Sequence, residues 1–475
     1  MKTIFIVLDH GLGLAYFLET ELTRKLLDAG VRIVFLVQDA VLPQVQNSFP
    51  HPNVIFESMR DTQVLAYQKA NHPGIQELID YVRRASADTA IPLTYVDTHR
   101  QRKEFEARGR RQRVLKLLRP LIWLLRRSRL ARRLFRNTLT ALFTPHLYDD
   151  LFERYRPALV ISDTAGWRLD QYLLREAHRR GIPTSTVIIG WDNPSSQGLP
   201  GADVDTVNVW SAVHRWEMTA GVDWPADKVH IGGMPLYDGY ISRKWVAPRE
   251  AYFRQHNLDP NKKLVAFAAT ALSISPNLHI IEVLADMIAN QQLAEPSQLL
   301  IRLHPNHFKP MEHYRAECAE ILKLAQRCPD VHVVEPMEVA GGLERYSGED
   351  FPEKASMLAH CDVLVTIYST MVVEATLHDK PIISVCINSP EGWKDKFWIP
   401  LEQVPGWPTA ARVNKAQAGK TVMTAEELKQ ALNEYLLNPE CETAERRRFV
   451  EAELTYLNGE STQKTADFLL SLLQE

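Results

Sequence analysis

The strongest constraint on the fold is the alternation of short, apolar, β-rich runs with segments of helical periodicity. In the first half of the chain, strands are expected at residues 4–8, 31–38, 158–162 and 184–189. Helices are expected between them at residues 15–29 and 169–180, and each helix is followed by a glycine, Gly30 and Gly181. Residues 229–238 are expected to form the final strand of this half and the hinge that follows it. Strands separated by helices predict a parallel, doubly wound α/β sheet.

The same alternation restarts in the second half, with strands expected at residues 262–267, 299–303, 331–334, 362–367 and 381–385. A chain of 475 residues is also too long for one ordinary core. We therefore expect two Rossmann-like domains, at 1–240 and 241–475, that face a common cleft, with the last helix packing back on the first domain. Clefts between domains are frequent ligand sites.

Composition indicates a soluble globular protein in a reducing compartment. Hydrophobic residues make up 45% of the chain and charged residues 24%. The five cysteines are scattered and form no CxxC pair, which argues against a disulfide framework and against a zinc site. The apolar start is too short for a signal peptide, and no run approaches the roughly 18 apolar residues of a spanning helix. We expect a cytoplasmic protein.

Positive charge is concentrated in one segment. Residues 100–136 contain fifteen Lys or Arg against two acids, a balance of +13. Since the whole chain carries −3, the remainder must be near −16. A basic island on an acidic protein indicates a negatively charged partner.

The basic segment lies in an insertion at residues 103–143 that has helical periodicity. One face is expected to carry the apolar residues Trp123, Leu124, Leu130, Ala131, Leu134, Phe135, Leu139 and Leu142, and the other Arg126, Arg129, Arg132, Arg133 and Arg136. This pattern is typical of an interfacial helix on anionic lipid, here residues 107–142 at the inner face of the cytoplasmic membrane. The alternative is a helix packed on the core with a solvated basic face. Nucleic acid is not an expected partner, because the few aromatic residues do not alternate with the arginines.

Two strands of the first half end in polar residues. His10, Gly11 and Gly13 follow the first strand, and Asp163 ends the strand at 158–162. The ordinary pKa of histidine lies near neutrality, so His10 could act as a general base, and Asp163 would orient its imidazole. The alternative for His10 is a structural role. The glycines would permit close approach of a ligand to the backbone, but they do not form a dinucleotide fingerprint.

The loop at residues 190–198 combines Trp191, Asp192 and Asn193 after a buried strand. An Asx turn would explain Asp192 and Asn193 but not the tryptophan. We therefore expect this loop to contact a ligand.

In the second half, polar residues follow three strands. Thr270 follows the first of them, Arg302 and His304 end the strand at 299–303, and Ser369, Thr370 and Glu374 follow the strand at 362–367. The carboxyl ends of parallel strands are where ligands bind in open α/β sheets. Hydroxyls at the start of a helix favour a phosphate, and a carboxylate one turn later suits a ribose. Arg302 could instead pair with a carboxylate inside the sheet.

These motifs resemble those of known enzymes. His304-Pro305 is similar to the His-Pro motif of sialyltransferase-like enzymes and of CDP-glycerol glycerophosphotransferases, and Ser369-Thr370 with Glu374 is similar to their Ser-Ser or Ser-Thr motif. Residues 232–238 resemble a hinge that this group shares with UDP-N-acetylglucosamine 2-epimerases. The resemblance covers most of residues 225–475 and implies the GT-B fold, with a nucleotide-activated donor bound by the C-terminal domain.

The resemblance also implies a base in the first domain. The glycerophosphotransferases carry a Trp-His-Gly base in the loop where this chain has Trp191-Asp192-Asn193, so Asp192 takes that role by position. His10 with Asp163 resembles the His-Asp dyad of plant-type UDP-glycosyltransferases and is the second candidate. The departure from Trp-His-Gly favours a sugar donor over glycerophosphate.

We therefore expect a glycosyltransferase that moves a sugar from a nucleotide donor to a lipid-linked or polysaccharide acceptor in bacterial surface-carbohydrate synthesis. No DxD motif stands where a metal-bridged donor would need one, so no metal and no cofactor is expected, and a positioned base favours inversion. The alternatives are a CDP-glycerol-type transferase, a UDP-sugar 2-epimerase and a non-catalytic nucleotide-sugar sensor.

Overall fold

The chain forms two compact units. A computed structural model describes residues 1–47, 49–71, 74–308, 311–335, 350–389 and 399–474. Among these, the first unit contains residues 1–238 and 454–474, and the second unit contains the described residues from 239 to 453. The last helix of the chain thus belongs to the first unit.

The first unit is built on a parallel sheet of seven strands within the described residues. The strands are β1 Thr3–Leu8, β2 Arg32–Val37, β3 Val54–Ser58, β4 Leu159–Ser162, β5 Thr184–Val187, β6 Thr206–Val209 and β7 Val229–Ile231. Their spatial order is β3-β2-β1-β4-β5-β6-β7, so the order reverses between β1 and β4. Phe5, Ile6, Val160 and Ile161 are fully buried, as expected when helices cover both faces of a parallel sheet.

The second unit repeats this design with six parallel strands among its described residues. They are β8 Lys263–Ala268, β9 Ser297–Arg302, β10 Val331–Val334, β11 Val363–Thr366, β12 Ile382–Val385 and β13 Lys420–Val422. The order is β10-β9-β8-β11-β12-β13, with the reversal between β8 and β11. Both sheets confirm the predicted doubly wound α/β class, although the sequence patterns did not predict β3, β6 and β13.

Helices surround both sheets. In the first unit they are α1 Gly11–Leu18, α2 Leu22–Asp28, α3 Leu42–Val45, α4 Asp61–Asn71, α5 Ile75–Arg84, α6 Thr94–Glu106, α7 Arg110–Leu117, α8 Arg119–Arg127, α9 Arg129–Leu142, α10 Asp149–Tyr155, α11 Asp170–Arg179, α12 Asn193–Ser196, α13 Ala212–Trp216 and α14 Pro235–Ile241. The second unit has α15 Arg249–Gln255, α16 Leu278–Ala289, α17 Glu312–Arg327, α18 Asp350–His360, α19 Met371–Leu377, α20 Pro408–Ala416, α21 Ala425–Leu437 and α22 Thr443–Leu454. The last helix, α23 Ser461–Ser471, packs on the first unit, where Phe468 stacks on His230 with ring centroids 4.3 Å apart. Short 3₁₀ helices lie at Ala226–Lys228, Pro305–Phe308 and Leu401–Gly406, and a π-helical turn lies at Glu217–Gly221.

The helix expected at residues 15–29 is two helices. α1 begins at Gly11, directly after β1, and ends at Leu18, and α2 begins at Leu22. Thr20 explains the break, because its hydroxyl donates to the Tyr16 carbonyl and accepts the Leu22 N–H. A side chain that bonds the backbone in this way competes with helix continuation.

The amphipathic division expected for the insertion is wrong. Arg132 is buried and pairs with Asp88 and with Asp223, in both cases at 2.6 Å. Arg126 and Arg136 likewise pair with Asp97 and Asp203. The acidic remainder of the chain therefore neutralises these arginines internally.

Several apolar residues of the insertion are instead exposed. The helical phase is interrupted at Ser128, whose hydroxyl caps α9 by accepting the Ala131 N–H. The exposed set is Leu117, Leu121, Trp123, Leu124, Leu130, Leu134 and Leu142, with exposures between 38% and 78%. Among the described residues, no helix is both long and apolar enough to cross a membrane.

Candidate functional site

The second unit brings most of its predicted site residues to one edge of its sheet. β9, β8 and β11 are neighbours, and they end at Arg302, Ala268 and Thr366. His304, Thr270 and the segment from Ser369 to Glu374 follow these three strand ends. This edge includes the reversal of strand order between β8 and β11, which is where open α/β sheets bind ligands.

His304 lies in a turn that fixes its tautomer. Its Nδ1 accepts the N–H of Asn306 at 3.1 Å, so in the neutral ring the proton is on Nε2. The ring is half-buried. A neutral imidazole with an Nε2–H donor can bond an anionic oxygen.

A buried network holds the His304 turn, and the sequence analysis missed it. The ring of His307 lies within hydrogen-bond distance of the His304 backbone and of Glu317, at 2.8 Å from the carboxylate. Glu317 also accepts the N–H of Asn277 and of Leu278. The proximity of His307 to the His-Pro pair was the only available signal, since Glu317 and Asn277 are distant in sequence.

Thr270 belongs to the same network. Its N–H donates to Asn277 Oδ1 at 2.8 Å, and its hydroxyl donates to the Tyr368 carbonyl at 3.1 Å. Thr270 therefore links the loop after β8 to the loop after β11. Because its proton is already used, Thr270 is a positioning residue in this structure and not the predicted direct donor to a ligand.

Ser369 and Thr370 differ in how their hydroxyls are used. Ser369 Oγ accepts the Met371 N–H at 3.1 Å. The Thr370 hydroxyl makes no hydrogen bond to any described residue, and its side chain is half-buried. α19 has only seven residues, so the hydroxyls and His304, more than a helix dipole, are the groups here that could bond an anion.

Glu374 is buried with half of its carboxylate satisfied. Oε1 accepts a hydrogen bond from Lys354 Nζ at 2.9 Å. Oε2 is buried and has no hydrogen-bond partner among the described residues. An acceptor left in this state is costly unless a ligand completes it.

Arg302 pairs with a carboxylate inside the second unit. Its Nη2 donates to both carboxylate oxygens of Asp350, at 2.6 and 2.7 Å. The side chain is buried, and its charge is neutralised by Asp350. The alternative pairing with a carboxylate is therefore observed for Nη2, while Nη1 is buried without a hydrogen-bond partner among the described residues.

The first unit does not form the predicted His10–Asp163 dyad. Asp163 accepts the backbone N–H groups of Asp9 and His10, at 3.1 and 3.0 Å, and does not bond the imidazole. His10 Nδ1 accepts the Leu12 N–H and so caps α1. Burial, and then the charge of Arg168, lower the pKa of His10 to about 3, so the ring is neutral. With Nε2 protonated, His10 is a hydrogen-bond donor and not a ready base.

Three buried carboxylates hold the loops at this edge. Asp9 accepts the Leu169 N–H at 2.7 Å, and Asp170 accepts the Gly166 N–H at 2.8 Å. Burial, reinforced by the charges of Asp9 and Asp170, raises the pKa of Asp163 well above its ordinary value. These contacts give Asp163 a positioning role.

Gly13 after β1 is explained by packing. A Cβ on Gly13 would lie 1.9 Å from Asp163 Oδ2, so this carboxylate, not a ligand, requires the glycine. At this position the predicted approach of a ligand is thus replaced by the approach of Asp163. Gly11 is the buried first residue of α1, and its predicted role stays a prediction.

The sequence allowed two interpretations of the 190–198 loop, a turn shaped by its polar residues and a ligand-contacting loop. Trp191 is 2% exposed and packs in the core, which leaves little of its surface for the predicted contact with a ligand. Asn193 accepts the Gly190 N–H at 2.9 Å and shapes the turn. Asp192 is half-buried, and its charge acts on the nearby side chains of Arg84 and Tyr95.

One group of side chains among the described residues could hold a metal ion. It consists of His146, Asp149 and Glu176. Arg180 already contacts both carboxylates, so a cation occupies this position within the protein. None of the predicted site residues belongs to the group.

Comparison with known proteins identifies the fold. No family model and no curated protein sequence matches the chain. Among solved structures, UDP-GlcNAc 2-epimerase from Neisseria meningitidis bound to UDP-GlcNAc aligns with a TM-score of 0.53 at 12% identity, over 99% of this chain and 100% of that chain. A glycosyltransferase from Rickettsia africae aligns with a TM-score of 0.51 at 10% identity, over 100% of this chain and 98% of that chain. These similarities confirm the predicted GT-B fold.

Proposed function

We propose that the second unit binds the nucleotide of an activated sugar. The observation that carries this proposal is the buried, unpartnered Oε2 of Glu374 at the edge of the second sheet. A ribose hydroxyl would donate to this oxygen, while Lys354 continues to neutralise the carboxylate. A charge-assisted hydrogen bond of this kind contributes about 1.5–3 kcal/mol.

The phosphates would lie against His304 and Thr370. The Nε2–H of His304 and the hydroxyl of Thr370 are donors at two neighbouring strand ends. Developing negative charge on a departing nucleoside diphosphate is stabilised by donors that are already oriented. The His307–Glu317–Asn277 network fixes the turn that carries His304 and so supplies this orientation.

The proposed reaction is sugar transfer with a base from the first unit. An acceptor hydroxyl attacks the anomeric carbon, the bond from that carbon to the phosphate oxygen breaks, and the nucleoside diphosphate leaves. Asp192 is the proposed base, because it is half-buried, whereas Asp163 is fully buried and His10 donates from Nε2. Direct attack assisted by such a base inverts the anomeric centre.

A 2-epimerase is the second candidate, because the structural similarity to epimerases is as good as that to glycosyltransferases. An epimerase returns an isomerised sugar and needs no acceptor. A transferase releases the nucleoside diphosphate only as the sugar is moved to an acceptor. The reaction products therefore distinguish the two activities.

We also propose that the protein works at the inner face of the cytoplasmic membrane on a lipid-linked acceptor. The support is the exposed apolar set of the insertion, whose flanking cations include Arg113, Lys116 and Arg133. Leucine and tryptophan side chains would enter the interface while the cations contact anionic headgroups. The arginines paired with internal carboxylates would not take part.

Vesicle sedimentation tests this membrane proposal. Wild type should bind vesicles that contain phosphatidylglycerol, and Leu130→Glu should bind them markedly less. Leu437→Glu is the matched control, since Leu437 is 57% exposed on the second unit. Equal binding by both variants would contradict the assignment of the insertion to the membrane.

Nucleotide titration tests the donor site. His304→Ala and Thr370→Val should each weaken binding of UDP or of another cognate nucleotide about tenfold, as expected for loss of one hydrogen bond to a charged group. His332→Ala is the control, because His332 is half-buried within β10 and not at a strand end. Unchanged affinity in both site variants would refute the assignment.

A further inference from the structure

A buried arginine joins three segments of the first unit. Arg83 is 1% exposed, and its guanidinium donates to the Trp167 carbonyl at 2.9 Å and to the Leu199 carbonyl at 2.8 Å. It thereby fastens the end of α5 to the loop after β4 and to the loop that contains Asp192. The neighbouring residues Arg84 and Arg168 are consequently brought to this loop.

Close backbone packing supports the same placement. Gly198 has a φ of +67°, and a Cβ there would lie 2.5 Å from the Arg83 carbonyl oxygen and 2.8 Å from Arg84 Cα. Arg83 in turn accepts the Leu199 N–H at 3.1 Å. The end of α5 and the Asp192 loop are therefore in direct contact.

One nitrogen of the Arg84 guanidinium is buried without a partner among the described residues. Its Nε is buried without a hydrogen bond, and the side chain makes no hydrogen bond or ion pair with any described residue. Burial lowers the pKa of Arg84, and the charges of Tyr95, Asp80 and Asp192 oppose this shift. The Arg84 side chain is half-buried. A guanidinium nitrogen that is withdrawn from water without an acceptor is costly, and an anion at this position would complete its environment.

Arg168 provides a second cation that is only loosely held. Its Nε lies 3.5 Å from Asp9 Oδ1, beyond a normal hydrogen bond, and the side chain is 42% exposed. Its charge also acts on Arg84 and on His10. The two arginines thus form a cationic pair whose charge extends toward the first strand end.

The neighbouring histidines respond to this positive field. Burial and then Arg84 are the largest causes that lower the pKa of His99 to about 2. Burial and Arg168 act in the same way on His10. Both rings are therefore neutral at physiological pH.

We infer that Arg84 and Arg168 bind an anionic group of the acceptor substrate beside Asp192. The shared chemistry is a phosphate or a carboxylate, for which the planar guanidinium is well suited. The phosphate would come from a lipid-linked acceptor and the carboxylate from an acidic sugar. The role as an acceptor site rests on the proposed transferase function, but anion binding by the first unit does not.

Calorimetric titration of the full chain with methyl phosphate and with glucuronate tests this inference. Wild type should bind at least one of them saturably, and Arg84→Gln and Arg168→Gln should each weaken that binding about tenfold, the loss expected for one charge-assisted contact. Arg179→Gln is the control, since Arg179 is exposed at the end of α11 and its substitution removes the same charge. Thermal melts should show all three variants folded.

The outcomes identify the anionic group that binds and distinguish this site from the proposed donor site. Preference for methyl phosphate identifies a phosphate-bearing acceptor, and preference for glucuronate identifies an acidic sugar. Absence of saturable binding to both compounds, or equal affinity in Arg84→Gln and Arg179→Gln, would overturn the inference. Anion binding that persists without any nucleotide binding would contradict the proposed function and leave this site in place.

Discussion

Glu374→Gln is the substitution that most sharply probes the donor site. The change preserves the shape of the side chain and leaves a carbonyl oxygen for Lys354. It removes the negative charge and replaces one carboxylate oxygen with an NH₂ group. A ribose hydroxyl that donates to the carboxylate would lose its charged acceptor.

The size of the effect follows from the kind of contact that is lost. A hydrogen bond to a charged group contributes about 1.5–3 kcal/mol, which corresponds to a roughly 10- to 100-fold weaker dissociation constant. The substitution also leaves Lys354, whose side chain is 12% exposed, without its counter-charge. Because breaking a buried pair is destabilising by about 3–5 kcal/mol, the melting temperature should fall as well.

Calorimetry on folded protein separates these two effects. Nucleotide affinity is measured well below the melting temperature of each variant. Glu353→Gln is the matched control, because Glu353 is buried on the same unit and bonds Tyr252 and His256. It should lower stability while leaving nucleotide affinity within twofold of wild type.

The result that refutes the assignment is specific. If Glu374→Gln melts at a lower temperature than wild type but binds the nucleotide equally well, the free oxygen of Glu374 does not contact the ligand. Equal losses of affinity in Glu374→Gln and Glu353→Gln would show a general effect of destabilisation instead.

Four further outcomes are expected. Asp192→Asn should reduce turnover at least a hundredfold with unchanged donor affinity, whereas a change in affinity alone would contradict its role as the base. Gly13→Ala should destabilise the first unit by several kcal/mol in a urea titration, because the new methyl group would collide with Asp163; a change below about 0.5 kcal/mol would contradict the packing. Burial raises the pKa of Asp9 to about 6, so the folded protein retains a proton that the unfolded chain releases near pH 4. Between pH 4 and 7 the free energy of unfolding should therefore fall by about 3 kcal/mol more in wild type than in Asp9→Asn, and equal slopes would contradict this. Arg132→Gln should lower the free energy of unfolding by about 3–5 kcal/mol, since it leaves two carboxylates without their partner. A melting curve like that of wild type would refute the buried, ion-paired position of this arginine.

The sequence predicted the fold well, because buried parallel strands leave a distinct local signature. Runs such as Leu364–Ile367 are apolar, β-branched and closed by polar residues, so both their existence and their carboxyl ends are evident. β3 and β13 were missed because they lie at sheet edges, where half-buried residues such as Glu57 and Lys420 interrupt the apolar pattern. Propensity alone is weak for such short strands.

Partners distant in sequence limited prediction of the site. Nothing local shows that Arg302 meets Asp350, or that Asp163 bonds the backbone after β1 and not the ring of His10. The prediction for the insertion was wrong for the same reason. Its arginines are basic and periodic, but the acids that neutralise Arg132 lie 44 residues before it and 91 after it.

The most direct test of the central claim is product analysis with labelled nucleotide sugars. UDP-, CDP-, CMP- and GDP-linked donors are incubated with a membrane lipid extract, and both the sugar and the nucleotide are followed. We predict that one donor releases its nucleotide in step with transfer of unisomerised sugar to an acceptor. Asp192→Asn should lower both at least a hundredfold, and His304→Ala should lower both through weaker donor binding. Accumulation of an isomerised sugar without an acceptor product would contradict transfer and establish the epimerase alternative.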